Sequence, residues 1–222
     1  MTPLSADEAD GDLALVAYID ESRKPLRDRR TRKVLAHGYY VVAAAVILAA
    51  DSTSVRDAMV ELARDLTDGK PLRWKDLAVT KRRKAIETVV ALPDWDACMY
   101  ETSRAVSTRH HSDARLRARA LRATFIDLAV NRGIEEAILE TRSEPHAGFT
   151  THDKRDNELL QSLHDTGAVP REFRIEHRGK SEPILWLSDL LAGVRGDYRC
   201  WSDRDLYPLI AHRVIITQKF SP

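Results

Sequence analysis

At 222 residues, 43% hydrophobic and 31% charged, the chain is long enough for one good core, and we read it as a single elaborated domain with an insertion. Lys and Arg total 35 against 34 Asp and Glu, a formal charge of +1, which argues against wholesale polyanion binding and leaves local basic patches to matter. Cys98 and Cys200 lack zinc-type spacing and cannot make a disulfide framework, which fits a reducing cytoplasm.

Residues 1–12 are acidic and polar with no export leader, and read as a disordered tail ahead of a domain over 13–222. From Leu13 the run LALVAYI is continuously apolar and ends in Asp20 and Glu21, the pattern of a buried strand delivering acid to its tip. Basic residues crowd from Arg23 to Lys33, including Arg29, Arg30 and Arg32, which suit either a phosphate backbone or a solvated loop. Tyr39 to Leu48 predicts a second central strand, and YYVVAAAVILAA is too short to cross a bilayer. A helical insert over about 51–93 follows. Its helices are Val55 to Leu66, apolar at Val55, Met59, Leu62, Ala63 and Leu66, and about Thr80 to Leu92. The remaining elements are a strand at Trp95 to Thr102, a helix from about Asp113 to Asn131 ended by Gly133, a strand at Glu136 to Thr141, and a helix at Asp153 to Leu163 ended by Gly167. A strand at Phe173 to His177 and a helix from Pro183 to Arg195 complete the order. Three meandering strands followed by crossover units make a mixed α/β sheet with helices on its faces. Arg213 to Thr217 reads as an added edge strand or a docked extension.

Two acids stand in apolar surroundings. Asp20 ends the first run, and Asp189 interrupts Ile184 to Val194. A buried carboxylate persists only if hydrogen-bonded, paired with a cation or holding a metal. Strand alternation puts Asp20 on the face of Val16 and Tyr18 and turns Glu21 the other way. Helical spacing sets Leu185, Asp189, Ala192, Gly193 and Gly196 on one side of the last helix, where small residues allow close approach. Glu140 ends the apolar stretch AIL and is the third candidate. Carboxylates gathered this way suit Mg2+ or Mn2+, hard cations that prefer oxygen ligands. The competing reading pairs these acids with Arg142 or Arg195. Glu182, Asp153 and Asp156 read as caps or ion pairs. Trp74, set between Arg73 and Lys75, is the one tryptophan placed to stack on a base.

AYIDES, YYVVAAAVIL, LRWKDL and ILWLSDLLAG resemble the uncharacterised family catalogued as domain of unknown function 3800, grouped with the ribonuclease-H-like superfamily. The resemblance spans about Leu13 to Arg199. It implies a ribonuclease-H-like mixed sheet, three meandering strands then parallel ones, with acids meeting at the first strand and last helix. It matches Asp20 and Asp189 to those two acids, and Glu21 and Ser22 complete the opening triplet. Glu140 corresponds to a carboxylate of resolvase-type nucleases, and His177 to a product-release histidine. Arg73 and Arg23 depart from the lysine and glycine common at those positions.

The functional expectation is a nuclease hydrolysing phosphodiester bonds of DNA or RNA. Asp20, Glu140 and Asp189 hold Mg2+ or Mn2+, Glu21 and His177 assist, and Arg29, Arg30, Arg32, Arg73, Trp74 and Lys75 bind nucleic acid. The alternative is an inactive nucleic-acid-binding or assembly module with the same fold. No Gly-rich phosphate loop, HExxH helix or Gly-x-Ser-x-Gly elbow is present, which argues against nucleotide triphosphatase, zincin and α/β-hydrolase readings.

Overall fold

The computed structural model describes residues 14–27, 34–92, 95–103, 113–141, 151–200 and 204–220. The strands are β1 (Leu15–Arg27), β2 (Val34–Leu48), β3 (Trp95–Ser103), β4 (Glu136–Glu140), β5 (Arg174–Arg178) and β6 (Val214–Phe220). The helices are α1 (Ser52–Thr67), α2 (Val79–Ala91), α3 (Asp113–Ile126), α4 (Thr151–Asp165), α5 (Ile184–Arg199) and the short α6 (Tyr207–Ile210). All six strands form one sheet in the order β5-β4-β1-β2-β3-β6. β1, β2 and β3 make an antiparallel meander, while β4 runs parallel to β1 and β5 parallel to β4. This is the ribonuclease-H-like arrangement the resemblance implies, with β6 added parallel to β3 at the sheet edge.

Strand alternation sorts the apolar residues into two cores. Val16, Tyr18, Ala43, Ala45, Met99 and Ile138 face α1, α2 and α5. Ala17, Ile19, Val42, Ala44, Tyr100, Ala137 and Leu139 face α3 and α4. Both faces of β1 and β2 are therefore covered, which is why their sequences are apolar without alternation. The helical insert shares its side of the sheet with α5.

Several details differ from the sequence reading. β1 continues seven residues past Asp20 to Arg27, and β2 begins five residues before Tyr39. This extension of β1, polar in sequence, pairs with β2 as an antiparallel ribbon, irregular between Pro25 and Arg27, and has no hydrophobic run to announce it. Asp20 thus lies inside a strand rather than at its tip, yet it stands where the β1–β4 ladder ends, one residue past the Ile19–Leu139 pair. The helix before Gly133 closes in a π-helical turn over Asp127–Asn131. Gly133 and Gly167 both take positive φ, 64° and 67°, the left-handed geometry that ends a helix. Pro183 occupies the N-cap of α5 rather than its first turn. Among the described residues, no helix is long and apolar enough to cross a membrane.

Candidate active site

The acidic site is built by register. The parallel pairs Tyr18–Ile138 and Ile19–Leu139, continued by one residue, set Asp20 beside Glu140, and both side chains follow the parity of Tyr18 and Ile138 toward α5. α5 is fastened over this point by Ser188, whose hydroxyl donates to the Tyr18 carbonyl at 2.6 Å in a buried hydrogen bond. The next residue is Asp189. Asp20, Glu140 and Asp189 accordingly line one open cleft of about 220 Å³, together with Glu21, Arg73, Lys75 and Lys180.

Each carboxylate has a distinct environment. Asp20 is 9% exposed, and its Oδ1 accepts the backbone N–H of Glu21 at 2.7 Å. Burial first, then the charges of Asp189 and Glu140 and a hydrogen bond with Glu140, push its carboxyl well above the ordinary range, against the pull of Lys180. Asp189 Oδ2 accepts the backbone N–H of Trp74 at 2.6 Å. Burial also raises this carboxyl; the Trp74 N–H, Lys180 and Arg73 oppose it, and Glu140 adds to it. Glu140 pairs with Lys180 at 2.6 Å. The Arg195 alternative for Asp189 is not realised, since Arg195 pairs with Glu101. Arg142 lies outside the described residues.

Three sequence expectations require correction. Glu21 borders the cleft, but its carboxylate is engaged on the opposite face, accepting hydrogen bonds from Tyr40 and from Arg117 Nε at 2.8 and 3.0 Å. His177 is the register partner of Leu139 and shares that opposite face, with Nε2 at 3.4 Å from Asp156. Arg117 joins the group by pairing with Asp156. Burial raises the Asp156 carboxyl, but hydrogen bonds from His177 and Arg117 outweigh it and hold the carboxyl below the ordinary range. Strand parity therefore separates Glu21 and His177 from the acidic trio. Trp74 is the third correction. It is 2% exposed and part of the core, with Nε1 donating to Asp197 Oδ2 at 2.5 Å, so its ring is closed to a base.

Arg73 and Lys75, on either side of that buried ring, do reach the cleft. The arrangement follows from Gly193. A Cβ built there would stand 2.1 Å from Trp74 Cγ, so only glycine lets the indole lie on α5. Gly193 thus gives close approach to the insert's loop rather than to the sheet. Arg29, Arg30 and Arg32 lie outside the described residues. Glu182 accepts a two-pronged ion pair from Arg56, at 3.1 and 3.2 Å, and stands apart from the trio, while Asp153 accepts from the Thr141 hydroxyl at 2.7 Å.

Sequence reasoning misses Lys180. It sits in the loop between β5 and α5, and a single lysine beside glycine and serine has no periodicity to separate it from a solvated residue. Only the strand order, which lays the β5–α5 loop beside the end of β4, gives it a role.

Among the described residues, no three His, Cys, Asp or Glu side chains stand grouped as a metal site. The donor chemistry nonetheless fits a hard divalent cation, because the cleft holds three carboxylates from three elements, and their mutual repulsion adds to burial in raising Asp20. No family model and no curated protein matches the chain. Among solved structures it is similar to the PCNA:RNase HII complex from Archaeoglobus fulgidus, at 16% identity over 89% of this chain and 77% of that one, with a TM-score of 0.45.

Proposed function

We propose that the chain is a metal-dependent nuclease of the domain of unknown function 3800 family, acting on phosphodiester bonds of DNA or RNA. The observation that carries this reading is the convergence of Asp20, Glu140 and Asp189 in an open cleft whose remaining side chains include Arg73, Lys75 and Lys180. Carboxylates alone repel a nucleic acid, and cations alone bind it without acting on it; one cleft with both can gather a phosphate and act on it. Mg2+ or Mn2+ bound by Asp20, Glu140 and Asp189 would supply Lewis-acid polarisation of the phosphodiester and an activated water. Arg73 and Lys75 hold the backbone from the loop that Trp74 fastens to α5. Asp189 serves twice, offering one oxygen to the cleft while Oδ2 fixes that loop.

The test is incubation of the full chain with single- and double-stranded DNA and RNA, in Mn2+ or in chelator. Cleavage in Mn2+ that chelator stops is the expected result. A panel bound but left intact overturns the nuclease reading in favour of a binding module, which the Lys180–Glu140 pair also accommodates. Neutralising Arg73 and Lys75 together is expected to weaken duplex DNA binding and reduce the log–log salt slope by about 0.9 for each phosphate no longer neutralised, with sequence preference unchanged. Fluorescence anisotropy titrations across salt concentrations measure this, and an unchanged slope assigns phosphate binding to other side chains.

A further inference from the structure

Lys180 is held in a way that a solvated loop lysine is not. Its backbone carbonyl accepts the Trp186 indole N–H at 2.8 Å. The turn around it is closed by the Glu182 N–H donating to the Gly179 carbonyl at 3.0 Å. The strand ends beside it are tied by the Thr141 N–H donating to the Arg178 carbonyl at 2.8 Å. The main chain is fixed, and the ammonium it carries lies 2.6 Å from Glu140, with the lysine side chain 38% exposed and the glutamate 16%. That ammonium also opposes the upward shift that burial gives the other two acids, Asp20 and Asp189. One cation on a flexible stem, paired with Glu140, thus shares the cleft with all three carboxylates.

Resting on the nuclease reading above, we propose that Lys180 is a resident counter-cation: its ammonium neutralises the carboxylate trio in the metal-free protein, and leaves Glu140 when a divalent cation takes up the carboxylates. A monovalent ammonium and a divalent ion cannot both lie against Glu140 without repulsion, so the two compete for it. Lysine suits this exchange because its charge is compact and its stem has rotational freedom, where a guanidinium would lock into a two-pronged pair. Released from Glu140, the ammonium remains in the cleft beside Arg73 and Lys75, placed for a phosphate oxygen. The device keeps the acids compatible with folding before the metal arrives and sets a threshold of metal concentration below which the site stays closed.

The experiment is calorimetric titration of the full chain with Mn2+, for wild type, Lys180→Met, Lys75→Met and Asp189→Asn, with metal-free melting curves alongside. Lys75→Met removes the same charge from the same cleft and reports the general field. The expected result is Mn2+ binding by wild type, loss of binding in Asp189→Asn, affinity about tenfold higher in Lys180→Met, and a much smaller change in Lys75→Met. Metal-free Lys180→Met should melt below wild type while Lys75→Met does not. If wild type binds and Asp189→Asn does not, but Lys180→Met binds no more tightly than wild type or only as tightly as Lys75→Met, the counter-cation is rejected and the metal site stands. If wild type fails to bind, or Asp189→Asn binds equally well, the cation site falls and this inference with it. Lys180→Gln, which keeps a hydrogen-bond donor for Glu140, provides the same comparison should the methionine variant fold poorly.

Discussion

Asp20→Asn is expected to lower Mn2+-dependent cleavage by about a hundredfold or more, while raising the melting temperature of the metal-free protein at neutral pH. The two effects share one cause. Asp20 is buried and faces Asp189 and Glu140, and burial with those two charges holds its carboxyl above the ordinary value, about 3.9. A carboxyl raised in the folded state favours folding in its protonated form. Its stabilising contribution is complete below the unfolded value and is lost as pH rises through the folded one. Asparagine keeps the volume, can donate to Glu140 as the protonated acid does, and carries no charge at any pH. The variant should therefore match wild type in acid and melt above it once Asp20 ionises. Asp189 is raised by burial in the same direction, and Asp189→Asn, short of one carboxylate for the cation, is also expected to lose cleavage. Its amide oxygen can still accept the Trp74 N–H, and the circular dichroism spectrum should remain native. Melting curves in chelator across this pH window, set beside cleavage rates, check both halves; an Asp20→Asn protein that melts lower than wild type at neutral pH would show the carboxylate to be a stabilising partner.

The second large effect is expected at Gly193. A single methyl there would meet Trp74 Cγ at 2.1 Å and its Cβ and Cδ1 at 2.5 Å, far inside van der Waals distance. The indole has no room to retreat, since its N–H is bonded to Asp197 and its backbone N–H to Asp189. Arg82 lies over the ring at 4.8 Å from its centroid, donates to the Trp74 carbonyl at 3.2 Å and pairs with Asp197 at 3.1 Å. Overpacking of this kind costs roughly 1–3 kcal/mol or more, and the fixed ring places Gly193→Ala at the upper end. Cleavage should fall further than stability alone accounts for, because expelling Trp74 removes the loop carrying Arg73 and Lys75 from the cleft. Denaturant midpoints measure the first effect and nuclease rates the second. Combining Gly193→Ala with Trp74→Leu should recover part of the stability that the clash removes, giving a coupling between the sites; strict additivity would mean that the clash relaxes elsewhere.

How much of this is legible in the sequence depends on contrast. Asp20 and Asp189 are visible because each breaks an apolar run, and Glu140 because it closes one. Their meeting follows from parity, which periodicity supplies, and from strand order, which it does not. Trp74 is misleading for the converse reason: its neighbours Arg73 and Lys75 are polar, and the surface that buries its ring is Gly193, far along the chain. For Glu21, alternation already points to the opposite face, and the resemblance's opening triplet draws it toward the site. His177 carries the same information, since its strand alternates too, but its register with Leu139 depends on a pairing that no local pattern encodes. The extension of β1 through Arg27 is hidden because the sequence after Asp20, ESRKPLR, has no apolar run to mark a strand.

If Asp20, Glu140 and Asp189 together bind a divalent cation, as proposed, the change in melting temperature on adding Mn2+ to wild type and to Asp189→Asn measures it most directly. Wild type should gain stability equivalent to about 2.7 kcal/mol when free metal is roughly a hundredfold above its dissociation constant, and the variant, short of one ligand, should gain little. Equal shifts in the two proteins, or none in wild type, would contradict the account.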